Sequence, residues 1–334
     1  LPPPFARQEF TEADITDISR QAHDYVAGIL ATVRSAGQFV PPSKEGTVIF
    51  PGFDGGGEWG GSAVDPHTGM LYVNANEMPW ILTMVEVDAP IEGGGQASTG
   101  RNLYARQCIG CHGPDRKGNQ QGIASLIGVQ DRLSQPQILE VLNQGKGMMP
   151  AFRHLNDAEK GQLIAYITGT EVEIPVIDEH AGETEIRSGE SPYSHTGYNR
   201  FLDEEGYPAV KPPWGTLNAI DLNEGKIRWS VPLGEFEELT RRGIPQTGTE
   251  NYGGPIPTAG GLIFIDASKD EKFRAFDKET GAVLWETKLP AGGYATPATY
   301  MIDGRQFVVI AAGGGKMGTP SGDTYIAFAL PKTK

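Results

Sequence analysis

Between residues 17 and 36 apolar side chains recur every third or fourth position: Ile18, Ala22, Tyr25, Val26, Ile29 and Val33. That spacing predicts one amphipathic helix, roughly residues 17–36, with Gly37 placed to cap its C-terminus. The pattern then changes. "TVIF" and "GMLYVNA" are short apolar runs of strand length, and "DPHTG" between apolar runs reads as a turn. Residues 93–98, "GGGQAS", form a small-residue linker. From about residue 98 to 170 the helical period returns. Ser98 or Thr99 is placed to cap a helix running through Leu103 and Tyr104. Ser134 with Gln137, and Asn156 with Glu159, have capping-box spacing, and Gly169 ends the last helix. Residues 171–195 are polar and acidic, and strand-like runs resume from about 196.

An internal repeat lies in this last part. "AIDLNEGKIRW" (219–229) and "AFDKETGAVLW" (275–285) share the pattern A-x-D-x-x-x-G-x-x-x-W, 56 positions apart. A repeated strand–turn–strand with Asp and Gly in the turn and Trp closing the hairpin marks a β-propeller blade. Trp229 and Trp285 are therefore expected to pack each against a neighbouring blade. The expected class is mainly β, a partial propeller of about three to four blades, with an inserted all-α domain. The expected divisions are 1–92, 93–172 and 173–334.

Composition narrows the function. Forty-five glycines and 25 prolines suit a turn-rich β architecture. A formal charge of −14 argues against nucleic acid and against an anionic membrane surface, because phosphate recognition needs a basic footprint. No apolar run approaches the roughly 18 residues of a membrane span. "LPPPFARQEF" lacks the basic start and apolar core of a signal peptide, so the chain is expected to be cytosolic or a piece of an exported protein.

The only two cysteines, Cys108 and Cys111, stand in "QCIGCHGP" with His112 directly after them. A thioredoxin-like pair belongs at a helix start in a βαβ context, whereas this pair ends a helix in a helical segment. A structural zinc site needs four ligands, and neither His154 nor His180 has ligand spacing. The third reading, c-type haem attachment, uses every residue of the motif. Two thiols form thioethers with the porphyrin vinyls, and the histidine meets the iron. A second axial ligand is then needed, and Met149 lies 37 positions after His112 in "GKGMMPAF", with Met148 the runner-up.

Residues 97–170 resemble class I cytochromes c through "GRNLYARQCIGCHG", "GMMPAF" and the terminal "LIAYI". The resemblance implies haem c, with Cys108 and Cys111 as thioethers and His112 and Met149 on the iron. It also implies a loop carbonyl that accepts the histidine's Nδ1–H. "IASLIG" has Ala124 where the family often has proline, and a carbonyl is still available there.

The flanking regions resemble the C-terminal part of PQQ-dependent (quinoprotein) dehydrogenases of the membrane glucose dehydrogenase type. The matching runs are "GTVIFPGFDGGGEWGG", "KPPWGTLNAIDL", "YGGPIPTAGGLIFI", "RAFDKETGAVLWETKLPAGGYATPATY" and "GRQFVVIAAGGG". The resemblance implies an eight-bladed propeller with PQQ on its axis. It implies Ca²⁺ or Mg²⁺ in the complete enzyme, a sugar or polyol substrate, and an external electron acceptor such as a soluble cytochrome or a quinone. The family's catalytic Asp base and PQQ-contacting Lys lie in the N-terminal half of the propeller, a partner portion with no counterpart in these residues. The cytochrome segment interrupts the run between "LYVNANEMPW" and "SPYSHTGYN". The resemblance places Asp54, Glu58 and Trp59 against PQQ, and Lys316 and Met317 at the substrate mouth. The function expected is the haem-bearing part of a periplasmic quinohaemoprotein dehydrogenase. Two other readings remain open: a stand-alone cytochrome carrier on a β-scaffold, and a scaffold whose cysteines form a plain disulfide.

Overall fold

The computed structural model describes residues 1–87, 100–118, 123–147, 149–170, 192–197 and 199–331. The expected caps Ser98 and Thr99, the alternative ligand Met148, His180 and most of both expected linkers lie outside them. Six helices are described: α1 (Arg20–Leu30), α2 (Gly100–Gln107), α3 (Ile109–His112), α4 (Gln135–Gln144), α5 (Asp157–Thr168) and α6 (Glu237–Arg241). The strands begin with β1 (Thr47–Ile49), β2 (Ala63–Asp65), β3 (Met70–Asn76), β4 (Trp80–Leu82), β5 (Met84–Glu86), β6 (Tyr193–His195) and β7 (Asn199–Arg200). They continue with β8 (Gly215–Asp221), β9 (Lys226–Pro232), β10 (Ile256–Pro257), β11 (Leu262–Ile265), β12 (Lys272–Asp277) and β13 (Val283–Lys288). The last three are β14 (Ala298–Ile302), β15 (Arg305–Gly314) and β16 (Ser321–Phe328). The chain forms two compact units, one from Leu1–Pro41, Thr47–Ile81 and Arg200 onward, the other from Pro42–Gly46 and Leu82–Asn199.

The first unit is mainly β. It contains the four-stranded sheets β2-β3-β8-β9 and β10-β11-β12-β13 and the meander β14-β15-β16. β3 pairs with β8 over seven residues, from Met70↔Asp221 to Asn76↔Gly215. Two neighbouring strands of one sheet are thus separated by residues 77–214, so the intervening chain is an excursion from a single blade.

The sequence repeat becomes two hairpins of the same register. Ala219 pairs with Trp229 and Ala275 with Trp285, and each hairpin carries a β-bulge at the next residue. Asp221 Oδ1 accepts hydrogen bonds from the backbone of Asn223 (2.9 Å) and Glu224 (3.0 Å). Asp277 Oδ1 does the same for Glu279 (3.0 Å) and Thr280 (2.8 Å). These Asx-type bonds hold the turns. Trp229 docks on the turn of the next blade: its Nε1 donates to the Lys278 carbonyl at 3.1 Å. A Cβ at Gly281 would lie 2.7 Å from the Trp229 ring, so no larger residue fits beneath it. Trp285 packs edge-on against Phe328 of β16, 5.2 Å between centroids. Both tryptophans therefore sit where the repeat places them. Tyr72, Leu217, Ala219, Ile263, Ile265 and Phe276 fill the space between the first two sheets. Phe273, Leu289, Val308, Ile310 and Ala312 form the next layer.

The first helix is shorter than its apolar spacing suggests. Ser19 Oγ caps it by accepting from Ala22 N at 3.0 Å, and it ends at Leu30. Beyond that the chain bridges to β1, with Val48 N donating to the Arg34 carbonyl at 2.7 Å. That pairing takes residues 31–36 out of the helix. Gly37 (φ +84°) therefore serves a later turn, and Tyr25 faces solvent.

Candidate functional site

In the second unit, α2 crosses α5 closely. A Cβ on Gly100 would lie 2.1 Å from the Gln162 carbonyl oxygen, so this residue type is what lets the backbones meet. The capping boxes expected at Ser134 and Asn156 are both formed, and Gly169 (φ +72°) closes α5. These helices surround an apolar cluster that includes Leu103, Tyr104, Ile109, Leu142, Leu163 and Ile164. Cys108 belongs to the cluster and Cys111 faces solvent, and both are free thiols. Burial, with Cys111 adding, pushes the Cys108 thiol up to about 12, so it stays protonated at neutral pH.

His112 is buried, and its Nδ1 lies 2.9 Å from the Ala124 carbonyl oxygen. A carbonyl can only accept, so the proton sits on Nδ1 and Nε2 keeps its lone pair. That is the tautomer and orientation a metal-ligating histidine needs, fixed from the far side of the ring. The Tyr104 hydroxyl donates to the Gly113 carbonyl at 2.6 Å and ties α2 to the end of the motif. Met149 is held by reciprocal backbone hydrogen bonds with Lys146, both 3.0 Å, in a turn between Gly145 and Pro150. Its side chain packs against the same apolar cluster. The donor set therefore fits haem c: two free thiols at C-x-x-C spacing, a buried histidine with a bare Nε2, and a thioether beside the same core.

Sequence reasoning did not anticipate the ribbon β5–β6, which braces the motif within this unit. Gly197 (φ +85°) lies so close to the Cys108–Cys111 turn that a Cβ there would come within 1.6 Å of the Gly110 oxygen.

In the first unit, the "FDGGGEWGG" loop sits where ends of the three sheets converge. Gly60 meets Gly253 backbone to backbone, and the Thr296 hydroxyl donates to the Gly60 carbonyl at 3.0 Å. Glu58 is 8% exposed. Its Oε1 accepts from Asn76 Nδ2 at 2.9 Å. Burial, reinforced by Asp54, raises its carboxyl to about 7, against the backbone bond from Trp59 and the charge of Lys316. Asp54 Oδ2 is buried with no hydrogen-bond partner. Trp59, by contrast, projects fully into solvent, 100% exposed. The three residues share a loop without sharing an environment. Lys316 Nζ lies 3.3 Å from the Tyr252 ring centroid, a cation–π contact, and Met317 has a left-handed backbone (φ +54°).

Beneath the loop lies a buried polar network. Asn251 N donates to Asn76 Oδ1 (2.7 Å), Asn76 Nδ2 to the Asn251 carbonyl (2.8 Å), and Asn74 Nδ2 to Asn251 Oδ1 (2.6 Å). Glu250 is buried, paired with Arg200, and accepts from the Tyr252 hydroxyl at 3.2 Å. Desolvation raises both the Glu250 carboxyl and the Tyr252 phenol, with Arg200 opposing. A signal for the network was present in "LYVNAN": Asn74 and Asn76, two apart, share one face of an otherwise apolar strand. Among the described residues no group of three or more His, Cys, Asp or Glu could hold a metal ion. Among the described residues the divalent cation of the resemblance therefore has no cage of three such ligands.

Comparison with known families defines the class. Residues 1–110 and 149–308 match the PQQ glucose/ethanol/alcohol dehydrogenase β-propeller domain, and the chain belongs to that family. Residues 95–167 match the cbb3-type cytochrome c oxidase subunit III family, a cytochrome c match that includes the C-I-G-C-H motif. A haem c group, PQQ and a divalent cation are the cofactors these two families imply.

Among individual relatives, the quinate/shikimate dehydrogenase (quinone) of Acinetobacter baylyi is 35% identical over 225 residues, 63% of this chain and 28% of that protein. The quinoprotein glucose dehydrogenase of Escherichia coli is 29% identical over 90% of this chain and 28% of that protein. The quinohemoprotein alcohol dehydrogenase of Comamonas testosteroni is similar in structure at a TM-score of 0.39 and 20% identity, covering 86% of this chain and 29% of that one. The chain thus spans less than a third of the length of these relatives. No helix among the described residues is long and apolar enough to cross a membrane.

Proposed function

We propose that this chain is the haem-bearing portion of a periplasmic quinohaemoprotein dehydrogenase, a propeller part carrying an inserted cytochrome c domain over about residues 93–172. The complete protein oxidises a sugar or polyol hydroxyl and passes electrons through haem c to an external acceptor. When bound, PQQ accepts the two electrons of the alcohol and haem c relays them singly. Cys108 and Cys111 would anchor the porphyrin, and His112 Nε2 and the Met149 sulfur would hold the iron. The Ala124 carbonyl keeps the His112 ring correctly turned. Burial of Cys108, His112 and the surrounding apolar side chains lowers the local dielectric, and thioether ligation raises the reduction potential.

The loop that carries Asp54, Glu58 and Trp59 would face the quinone, with the exposed Trp59 ring free to stack on it. Lys316 and Met317 border the substrate mouth. The N-terminal half of the propeller supplies the catalytic base and the remaining cofactor contacts. The unpaired edge and exposed Tyr300, Met301, Ile302 and Tyr325 of the β14–β16 meander suit such a neighbour.

The observation that carries this reading is the His112 Nδ1–Ala124 oxygen bond at 2.9 Å inside a C-x-x-C-H turn. The test is a reduced pyridine-haem spectrum of chain made in a host that matures c-type haem. One c-type haem per chain is expected. A spectrum without the c-type band would remove both the dehydrogenase reading and the carrier alternative.

A further inference from the structure

Lys316 is an exposed cation held in place from both ends. Its carbonyl accepts from the Thr319 backbone N–H at 3.0 Å and from the Thr319 hydroxyl at 2.8 Å, which closes a tight turn between β15 and β16. The Tyr294 hydroxyl lies 2.9 Å from the same Thr319 oxygen and donates to it. At the other end the ammonium rests 3.3 Å from the centroid of the Tyr252 ring. Tyr252 is buried, and its hydroxyl is anchored on Glu250. Tyr252 and Tyr294 pack edge to face, 6.4 Å between centroids. One ring therefore fixes the turn, the other fixes the ammonium, and each braces its neighbour.

What this cation lacks is an anion. Among the described residues its ammonium has no carboxylate partner and no hydrogen-bond acceptor. Other cations of the same unit do have one: Arg200 pairs with Glu250, Lys272 with Glu235, Arg274 with Asp270 and Lys278 with Asp65. An ammonium carries three donors, and the face of one ring cannot satisfy them all. Fixing a long, flexible side chain costs rotamer freedom, and here that cost is met before any ligand arrives. The position is also specific. The charge of Lys316 reaches the buried Glu58 carboxyl, whose pKa burial raises and Lys316 lowers. Burial, then Glu250, Asp54 and Glu58, act on the Tyr252 phenol beneath it. Lys316 thus stands at the loop of Asp54, Glu58 and Trp59.

Resting on the dehydrogenase reading above, we propose that Lys316 is a specificity-determining residue that pairs with a carboxylate on the substrate, so that the polyol oxidised is a polyhydroxy acid and not a neutral sugar. The carboxylate stays ionised and unreacted, and the oxidation remains at a hydroxyl. On a protein with a formal charge of −14, an anionic substrate needs a local cation to offset the general repulsion. A single ammonium matches a single carboxylate, and its charge-assisted hydrogen bond is one that a neutral hydroxyl in the same place cannot equal.

The test uses the chain joined to the N-terminal half of the propeller and loaded with haem c and PQQ. Gluconate and sorbitol share a polyol chain and differ in the terminal group; a dihydroxycyclohexane carboxylate and its carboxamide make a cyclic pair. The carboxylate of each pair is expected to have the higher kcat/KM by roughly tenfold, the worth of one charge-assisted hydrogen bond, with most of the difference in KM. Lys316→Gln should remove that preference and Lys316→Arg should keep it. A preference for the neutral member, or one that Lys316→Gln leaves unaltered, overturns the proposal. A second readout needs no turnover. With PQQ held reduced, Lys316 is methylated by formaldehyde and cyanoborohydride, and the rate at that residue is followed by mass spectrometry. Gluconate should slow it and sorbitol should not. Equal rates with both overturn the proposal. So does protection by PQQ alone, before any substrate is added, which would assign the ammonium to a carboxylate of the cofactor. Failure of the dehydrogenase reading is seen separately, as a haem that no member of either pair reduces, while the methylation rates still report on Lys316.

Discussion

Replacing Glu58 with Gln isolates a single buried proton in the loop proposed to meet the quinone. The carboxyl is 8% exposed, and its folded value is raised from 4.5 to about 7. A raised acid holds its proton longer when folded than when unfolded. It costs nothing below about pH 4, its penalty grows between about 4.5 and 7, and the penalty is constant above 7. A difference of about 2.5 units at 1.36 kcal/mol each gives about 3 kcal/mol. Glu58→Gln keeps the shape and removes the titration. Relative to the unmodified chain, it should therefore gain about 3 kcal/mol of stability between about pH 4 and pH 8. Urea unfolding followed by tryptophan fluorescence is a clean assay, because all five tryptophans, Trp59, Trp80, Trp214, Trp229 and Trp285, lie in the β-rich unit. A stability difference that stays flat with pH would refute the burial argument. One that rises as pH falls would reverse its sign.

Other substitutions probe the remaining links. Trp229→Phe removes the donor to the Lys278 carbonyl and part of the ring over Gly281, and should cost about 1–3 kcal/mol in the same fluorescence transition. Gly100→Val drives side-chain atoms into the Gln162 carbonyl and should cost at least about 1–3 kcal/mol. Haem absorbance should report that loss, while tryptophan fluorescence of the β-rich unit is unaffected. Met149→Ala should remove the methionine–iron signature and lower the reduction potential in a spectroelectrochemical titration, with the haem still covalently attached. An unchanged potential would show that Met149 is not the ligand.

Much of this was legible before any coordinates. The A-x-D-x-x-x-G-x-x-x-W repeat carried its own turn chemistry, so the matched register of the two hairpins and the docking of Trp229 followed from local residues. The capping boxes at Ser134 and Asn156 were readable for the same reason: a cap is made by residues three apart. Helical periodicity alone misjudged the first helix, because the backbone of Arg34 was claimed by β1, a partner outside any local window. The polar network under the loop was invisible for a related reason. Asn76 and Asn251 are 175 positions apart, and only β3–β8 pairing and the turn before β10 bring them together. For the same three-dimensional reason, nothing in the short stretch "DGGGEWGG" distinguishes a buried Glu58 from a solvent-facing Trp59. Gly197 closing on Gly110 likewise depends on a ribbon whose strands are more than a hundred residues apart.

The most direct measurement is substrate-driven reduction of the haem. This chain, joined to the N-terminal half of the propeller and loaded anaerobically with PQQ and Ca²⁺, is mixed with a sugar or polyol, and the c-type haem absorbance is followed in time. Reduction of the haem that needs both substrate and PQQ, and that slows in His112 or Met149 variants, is the predicted result. A haem that stays oxidised while PQQ consumes substrate would contradict the account.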